Sequence, residues 1–273
     1  MKRFRFFYSS FLVLLYTSVC SKCISASPPH RDFPSKVHFA ENKNQWEDFI
    51  KYKAEFRGGK LFLEENRFTY VFYHPDDIQS LHAHEGKQID KVRLHAIKIN
   101  PINSNPHPVI SSYDTAAYFN NYFIGNDPAK WASDVRLFSS VIYNNLYPNI
   151  DMKFYSSLSD IKYDFILRPG ANTNDIQLAF DGADKLSLKN GNLLMHLSVG
   201  EVIEEKPYAY QIINNEKKEI DCKFILAENR LSFRFPGSYN KSLPVIIDPT
   251  LIFSSYTGSF ADNWGFTATY DAA

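Results

Sequence analysis

Apolar side chains recur at every second position along most of this chain, the spacing that turns one side of an extended strand to a core and the other to water. Phe68, Tyr70 and Phe72 form one such row. Ile161, Tyr163, Phe165 and Leu167 form another, with Lys162, Asp164 and Arg168 on the opposite side. Ile176, Leu178 and Phe180 follow, then Leu193, Met195 and Leu197, then Tyr208, Tyr210 and Ile212. Ile220, Cys222, Phe224 and Leu226 read as one further row, ahead of Leu231, Phe233 and Phe235. Each predicts a half-buried strand.

The breaks between rows carry turn chemistry. Gly58-Gly59, Asn190-Gly191, Asn214-Asn215 and Glu228-Asn229 separate neighbouring rows closely enough for hairpins. Asn190-Gly191 is the clearest, because both residue types tolerate the positive φ of a type I′ turn. Pro169-Gly170 and Asp181-Gly182 mark looser bends. Helical pattern is sparse. Trp46, Phe49 and Ile50 stand at helical spacing, but Tyr52, Ala54 and Phe56 then alternate, so a loop leading into a strand is expected there. Asp76 is placed to cap a short helix through Ile78 and Leu81. Val92, Leu94 and Ala96 keep one phase and Ile97 and Ile99 the other, a change that a β-bulge allows. Pro101 to Pro108 reads as a loop. The expected fold is all-β, an antiparallel β-sandwich-like domain built from hairpins, over about residues 37 to 257.

The first residues change the accounting. Lys2, Arg3 and Arg5, the apolar run Phe6 to Val19, and small residues ending in Ser25, Ala26 and Ser27 make a three-part secretion signal, with cleavage expected near Ser25 or Ala26. The apolar run is shorter than the roughly 20 residues of a membrane span. Residues 1–26 hold four basic side chains and no acidic one, so the balanced chain becomes net −4 once they are removed. That mild acidic excess has no basic cluster and argues against nucleic acid as a partner. Two of the three cysteines leave with the signal, so Cys222 has no disulfide partner and stability must come from the core. No membrane span is expected after cleavage.

Candidate chemistry is thin. His82 and His84, with His74, Asp76, Asp77 and Glu85 nearby, are ligand types for divalent metals, but no third ligand sits at a diagnostic spacing and an exposed polar loop accounts for them. Asp151 and Asp164 could be offered as a glycosidase pair, a chemistry that needs one carboxyl neutral beside one ionised. No G-x-S-x-G elbow, phosphate loop or H-E-x-x-H helix occurs. Cys222 sits on an apolar row and reads as an inert core thiol. Among the aromatic residues, Trp46 and Trp131 lie in polar, loop-like segments where a ring could stack on a sugar. The sequence therefore assigns no catalytic residue, no metal ligand and no cofactor.

Several stretches together resemble a known family. They are FAENKNQW from Phe39 to Trp46, GKLFL from Gly59 to Leu63, YFIGNDP from Tyr122 to Pro128 with Trp131, and YNNLYPNIDMKFY from Tyr143 to Tyr155. KYDFI from Lys162, PGA from Pro169, EKPYAYQ from Glu205 and IDPTL from Ile247 continue the series. In this order they resemble the N-terminal domain of unknown function that precedes SBBP-type β-propeller repeats in secreted, gliding-motility-associated surface proteins of Bacteroidota, over about residues 37 to 271. Asn149 stands where that family often has Gly. The last stretch, Asp262 to Asp271, looks like the opening of a first repeat, so residues 258–273 are expected to begin a propeller blade. The resemblance implies a multidomain cell-surface protein exported through a type IX system. The expected partners are a surface polymer or protein and the downstream propeller. Two function classes follow: a non-catalytic structural or adhesive module, or a carbohydrate-active enzyme or carbohydrate-binding module.

Overall fold

The structure, a computed structural model, describes residues 36–56, 58–82, 91–157 and 160–253. The expected signal segment, His84, Glu85 and residues 258–273 lie outside the described residues. Among the described residues strands hold 61% and helices 6%, which makes the domain all-β, and every strand pairing there is antiparallel.

The first strands are β1 (Phe39–Glu41), β2 (Ile50–Phe56), β3 (Gly59–Glu64), β4 (Phe68–Tyr73) and β5 (Leu94–Pro101). A long ribbon follows, β6 (Val109–Tyr122) with β7 (Ala132–Tyr147), then β8 (Ile150–Ser157), β9 (Asp160–Leu167) and β10 (Gln177–Asp181). Next come β11 (Lys185–Lys189), β12 (Asn192–Leu197), β13 (Gly200–Glu204), β14 (Tyr208–Ile213) and β15 (Glu216–Ile220). The series ends with β16 (Lys223–Ala227), β17 (Arg230–Arg234), β18 (Val245–Asp248) and β19 (Leu251–Phe253).

One ladder runs β15-β14-β18-β9-β8-β7-β1-β2-β3-β4-β5-β10-β17-β16, with β6 on the remaining edge of β7. Its ends do not pair, so the sheet is not a closed barrel. Strands far apart in the ladder nevertheless touch through their rings. Phe68 of β4 lies 4.8 Å from Phe154 of β8 and 5.3 Å from Tyr143 of β7, and Phe165 of β9 lies 5.6 Å from Phe233 of β17. The arm from β8 to β15 and the arm from β1 to β16 thus leave the same edge of β7, opposite β6, and fold over each other, so that the alternating rows meet face to face in the core. Tyr hydroxyls pin the arms: Tyr143 donates to the Glu64 carbonyl (2.6 Å) and Tyr147 to that of Gln177 (2.9 Å).

A four-stranded sheet, β11-β12-β13-β19, adds Leu193, Met195 and Val202 to this core. A smaller cluster of Ala40, Ala132, Val135 and Leu137, flanked by Trp46, Ala116 and Tyr122, supports the far half of the β6–β7 ribbon.

The expected hairpins form. Asn190 and Gly191 (φ 54° and 86°) join β11 to β12, and Asn214 and Asn215 (φ 53° and 65°) join β14 to β15, the double positive φ of type I′ turns.

Other expectations need correction. The row from Ile220 to Leu226 is not one strand: Ile220 ends β15 and Phe224 lies in β16, at opposite ends of the ladder. In β14 the phase is inverted, with Ala209 and Gln211 inward and Tyr208 and Ile212 exposed. The buried Gln211 is satisfied by the 240–244 loop, where its amide donates to the carbonyls of Asn240 (2.7 Å) and Leu243 (3.0 Å) and accepts from Asn240 N–H (3.1 Å). β5 has no bulge, since its register with β4 is continuous and Leu94 simply faces out. The helix starts at Pro75 rather than being capped by Asp76. The His74 carbonyl accepts from Asp77 and Ile78, while Asp76 and Asp77 fill the acidic first turn. His82 ends this helix instead of lying in a loop.

Gly59 meets its neighbour strand so closely that an added Cβ would stand 1.9 Å from the Val71 carbonyl oxygen. Gly59→Ala is therefore expected to destabilise the domain by about 2 kcal/mol or more, read as a lower midpoint in urea; an unchanged midpoint would contradict the packing described. Cys222 is buried among apolar neighbours, and burial pushes its thiol up to about 12. Labelling by a thiol reagent should be slow in buffer and fast in denaturant, and equal rates would place the thiol at the surface.

Candidate functional site

The stretch FAENKNQW builds a loop, not a pocket of free side chains. Asn42 donates through its amide to the carbonyls of Trp46 (3.3 Å), Glu47 (3.0 Å) and Ile50 (2.8 Å), and its Oδ1 accepts from Asn44 N–H (3.0 Å). Glu41 accepts from the Arg136 backbone and guanidinium (3.0–3.2 Å). Burial acts to raise the Glu41 carboxyl, but the Arg136 contacts hold it below its ordinary value. Lys43 reaches the Ser133 carbonyl (3.0 Å), and Trp46 packs edge-on to Tyr122 (5.3 Å) beneath the Lys53 ammonium (4.7 Å). The first and third family-like stretches are thus two halves of one joint.

The stretch from Tyr143 to Tyr155 is used in the same way. Asp151 Oδ1 accepts from Asn145 N–H (2.7 Å) and from the Arg168 guanidinium (2.5 Å), which also donates to Asn145 Oδ1 (2.8 Å). These bonds clamp the irregular pairing between Tyr143 and Tyr147. Asn149 adopts φ 59°, which explains why a position that favours Gly accepts Asn.

What the polar motifs leave open is the solvent face of the first arm. Directly opposed residues of an antiparallel pair share a face. The pairs Tyr113–Ser140, Ser140–Tyr155 and Tyr155–Lys162 therefore run across four strands on one side, with Ile142–Lys153 and Lys153–Asp164 beside them. Tyr208, opposite Asp248, extends that face, while Tyr210 on the same side is buried beneath the Lys217 ammonium (4.2 Å). Toward the ribbon tip, Phe119 is opposite Arg136 on the same side, away from the small cluster under Val135. Tyr122 and Ala132 point into that cluster, so their neighbours Phe123 and Trp131 point out, and the two rings meet edge-on at 5.9 Å. Tyr113 is 48% exposed, Phe119 54%, Phe123 61% and Trp131 44%. Tyr118, 53% exposed, is engaged edge-on with His38 (5.7 Å), which leaves these four as the ribbon's open rings.

Carboxylates on or near this face are perturbed. Asp164 rises to about 6 through burial and then through Asp248, while Tyr155 donates to it (3.1 Å). Lys162 lies 2.6 Å from Asp248. In the interior, Glu204 of β13 accepts from Tyr163 of β9, and burial pushes its carboxyl up to about 7. A cleft of about 630 Å³ opens between the 42–52 segment and the start of β6, lined by Glu41, Asn42, Asp48, Tyr52, Glu65 and Ile110. A second, of about 410 Å³, lies by the 168–174 turn. Asp164, Asp248 and Glu204 line neither of them.

The model of the Domain of unknown function (DUF7948) matches residues 39–250. The chain belongs to this family. No curated protein and no solved structure matches it. Every family-like stretch up to Glu205–Gln211 falls inside the DUF7948 domain, and Ile247–Leu251 crosses its end.

Within the DUF7948 domain the residues singled out from sequence are dispersed. Asp151 is engaged with Arg168, whereas Asp164 neighbours Asp248. Asp77 is held far below the usual carboxylate range by the Arg93 side chain and backbone (2.7–3.0 Å). Among the described residues no group of three His, Cys, Asp or Glu side chains is arranged to hold a metal, and no helix is long and apolar enough to cross a membrane. Trp131 is open on the outer face and Trp46 is half-buried. Sequence reading missed Tyr113, Phe119 and Phe123. The available signal was FNNYF, in which two Asn rather than aliphatic residues separate the rings.

Glu204 gives a test of pH dependence. Its folded value, near 7, lies above its ordinary 4.5, so this contribution is full below about pH 4.5, declines as pH rises, and is gone above about pH 7. Asp164 acts with the same sign between its ordinary 3.8 and about 6. The Glu204 shift corresponds to on the order of 3 kcal/mol. Glu204→Gln should melt higher than the parent at pH 8 and match it near pH 4.5. A lower melting temperature at pH 8 would mean that the ionised carboxylate is stabilising.

Proposed function

We propose that this domain is a non-catalytic structural or adhesive module of a secreted, multidomain cell-surface protein, binding through the solvent face of its first arm. The reading rests on one contrast: the polar side chains of the family-like stretches hold backbone in place, while four aromatic rings of the ribbon stand open to water. Rings kept exposed on a rigid sheet are an interaction feature, since isolated apolar exposure is ordinary but a grouped patch is not. In this reading residues 1–26 direct export, residues 258–273 lead into propeller repeats, and the partner is a surface polymer or protein. Screening the purified chain against immobilised glycans and extracellular-matrix proteins should give binding to at least one class. Binding to none, at protein concentrations up to the millimolar range, would refute the adhesive half of the proposal.

A second reading, a carbohydrate-active enzyme, is favoured by a single observation: Asp164, raised to about 6 beside Asp248, is the kind of carboxyl that glycoside hydrolysis uses as its acid. Against it, the pair sits on a strand face outside both clefts, with Lys162 and Tyr155 already on its oxygens. Release of reducing ends from polysaccharides, abolished in Asp164→Asn, would establish this reading and overturn the first.

A further inference from the structure

We infer that the solvent face of the β6–β7 ribbon, from Tyr113 through Phe119 to Phe123 and Trp131, is a stacking strip for a neutral, extended polysaccharide. The inference rests on the adhesive reading above and names the surface and the chemistry of its ligand.

The rings lie along one strand direction. Phe119 and Phe123 are four residues apart, roughly 13 Å on an extended chain, and Asn121 stands between them with its Oδ1 fixed by the Asp134 N–H (2.9 Å). Trp131 is held before any ligand arrives: its indole N–H donates to the Gly125 carbonyl (3.2 Å), its edge meets Phe123, and Asp127 caps the intervening turn through Ala129 N–H (3.0 Å). A ring that is fixed yet open loses little rotamer freedom on binding, which favours stacking against the C–H faces of a sugar.

Charge separates the possible ligands. Asp114, Asp127 and Asp134 stand near the strip against Lys130 and Arg136, and the Arg136 guanidinium is already paired with Glu41 (3.0 Å). With Arg136 so paired, the strip keeps a mild acidic excess that repels a polyanion, and an anionic lipid surface calls for a basic cluster that the ribbon lacks. Area weighs against a second copy of the chain. Aromatic side chains bury roughly 150–250 Å² each, so four rings about half exposed offer roughly 400 Å², half of the ~800 Å² per partner of a stable protein interface.

The test is co-sedimentation of the purified full chain with insoluble cellulose and chitin, and affinity electrophoresis through gels containing soluble glucan, xylan or mannan. Heparin and a matrix protein serve as comparison probes, and each assay is run at 0.15 and 1 M NaCl. Retention by at least one neutral polysaccharide is expected, changed less than twofold by salt, because stacking is not screened. Phe123→Ala and Phe119→Ala should each weaken retention at least tenfold with an unchanged melting temperature, since more than half of each side chain is exposed. Retention by heparin alone, retention undiminished in both variants, or a dimer dissociated by the same substitutions would overturn the inference. Binding to the matrix protein without any polysaccharide would overturn it while leaving the adhesive reading in place, and binding to no probe would remove both.

Discussion

Everything in this domain depends on one sheet covering its own apolar face. A single antiparallel ladder leaves alternate side chains of every strand on one side, and a flat sheet of that length would hold the whole apolar side in water. Two arms leaving one edge of β7 bring Phe68 against Phe154 and Phe165 against Phe233, so each arm shields the other. The core is rich in rings because the contacts cross a gap between sheet layers, of the order of 10 Å, that Phe and Tyr span from either side. Tyr143 and Tyr147 add a hydroxyl that reaches backbone carbonyls on the opposite arm. The same geometry explains Glu204: a carboxyl carried into this dry layer on the small sheet keeps its proton and finds Tyr163.

Folding a sheet over requires its strands to bend and its loops to close, and each irregular step exposes backbone groups that must be satisfied. Asn42, Asp151 and Gln211 do this, each serving several backbone partners or joining one to a charged side chain. The stretches that carry the resemblance are therefore largely the places where the fold departs from a regular ladder. The ladder's edges are treated differently. β15 is guarded by Glu216, Lys217, Lys218 and Glu219, whereas β6 carries only Asp114 as a charge and relies on irregular pairing between Thr115 and Phe119.

Local rules made much of the fold legible. Alternation located β4, β9, β10, β12 and β17, and Asn-Gly and Asn-Asn pairs located their hairpins, because both signals are properties of a few adjacent residues. Long-range choices were not legible. Nothing local says that Ile220 and Phe224, four positions apart, belong to opposite ends of the ladder. Nor does alternation say which of two mixed rows faces the core: in β14 the polar Gln211 goes inside because a distant loop supplies its partners, and that sends Tyr208 and Ile212 outside. The candidate face escaped for the same reason. Tyr113, Phe119 and Phe123 have the spacing of core residues, and only the position of β6 at an edge leaves them open.

In the proposed reading the domain divides its labour, with the polar residues of the family-like stretches maintaining the fold and the outer rings left to bind. Side-by-side thermal melts of Asn42→Ala, Gln211→Ala, Phe119→Ala and Phe123→Ala test it most directly. Removing a side chain that satisfies backbone groups costs about 1–3 kcal/mol, so the first two variants should melt several degrees below the parent and the last two should melt with it. If instead the ring variants lose stability while Asn42→Ala and Gln211→Ala melt like the parent, the rings belong to the scaffold and the account is wrong.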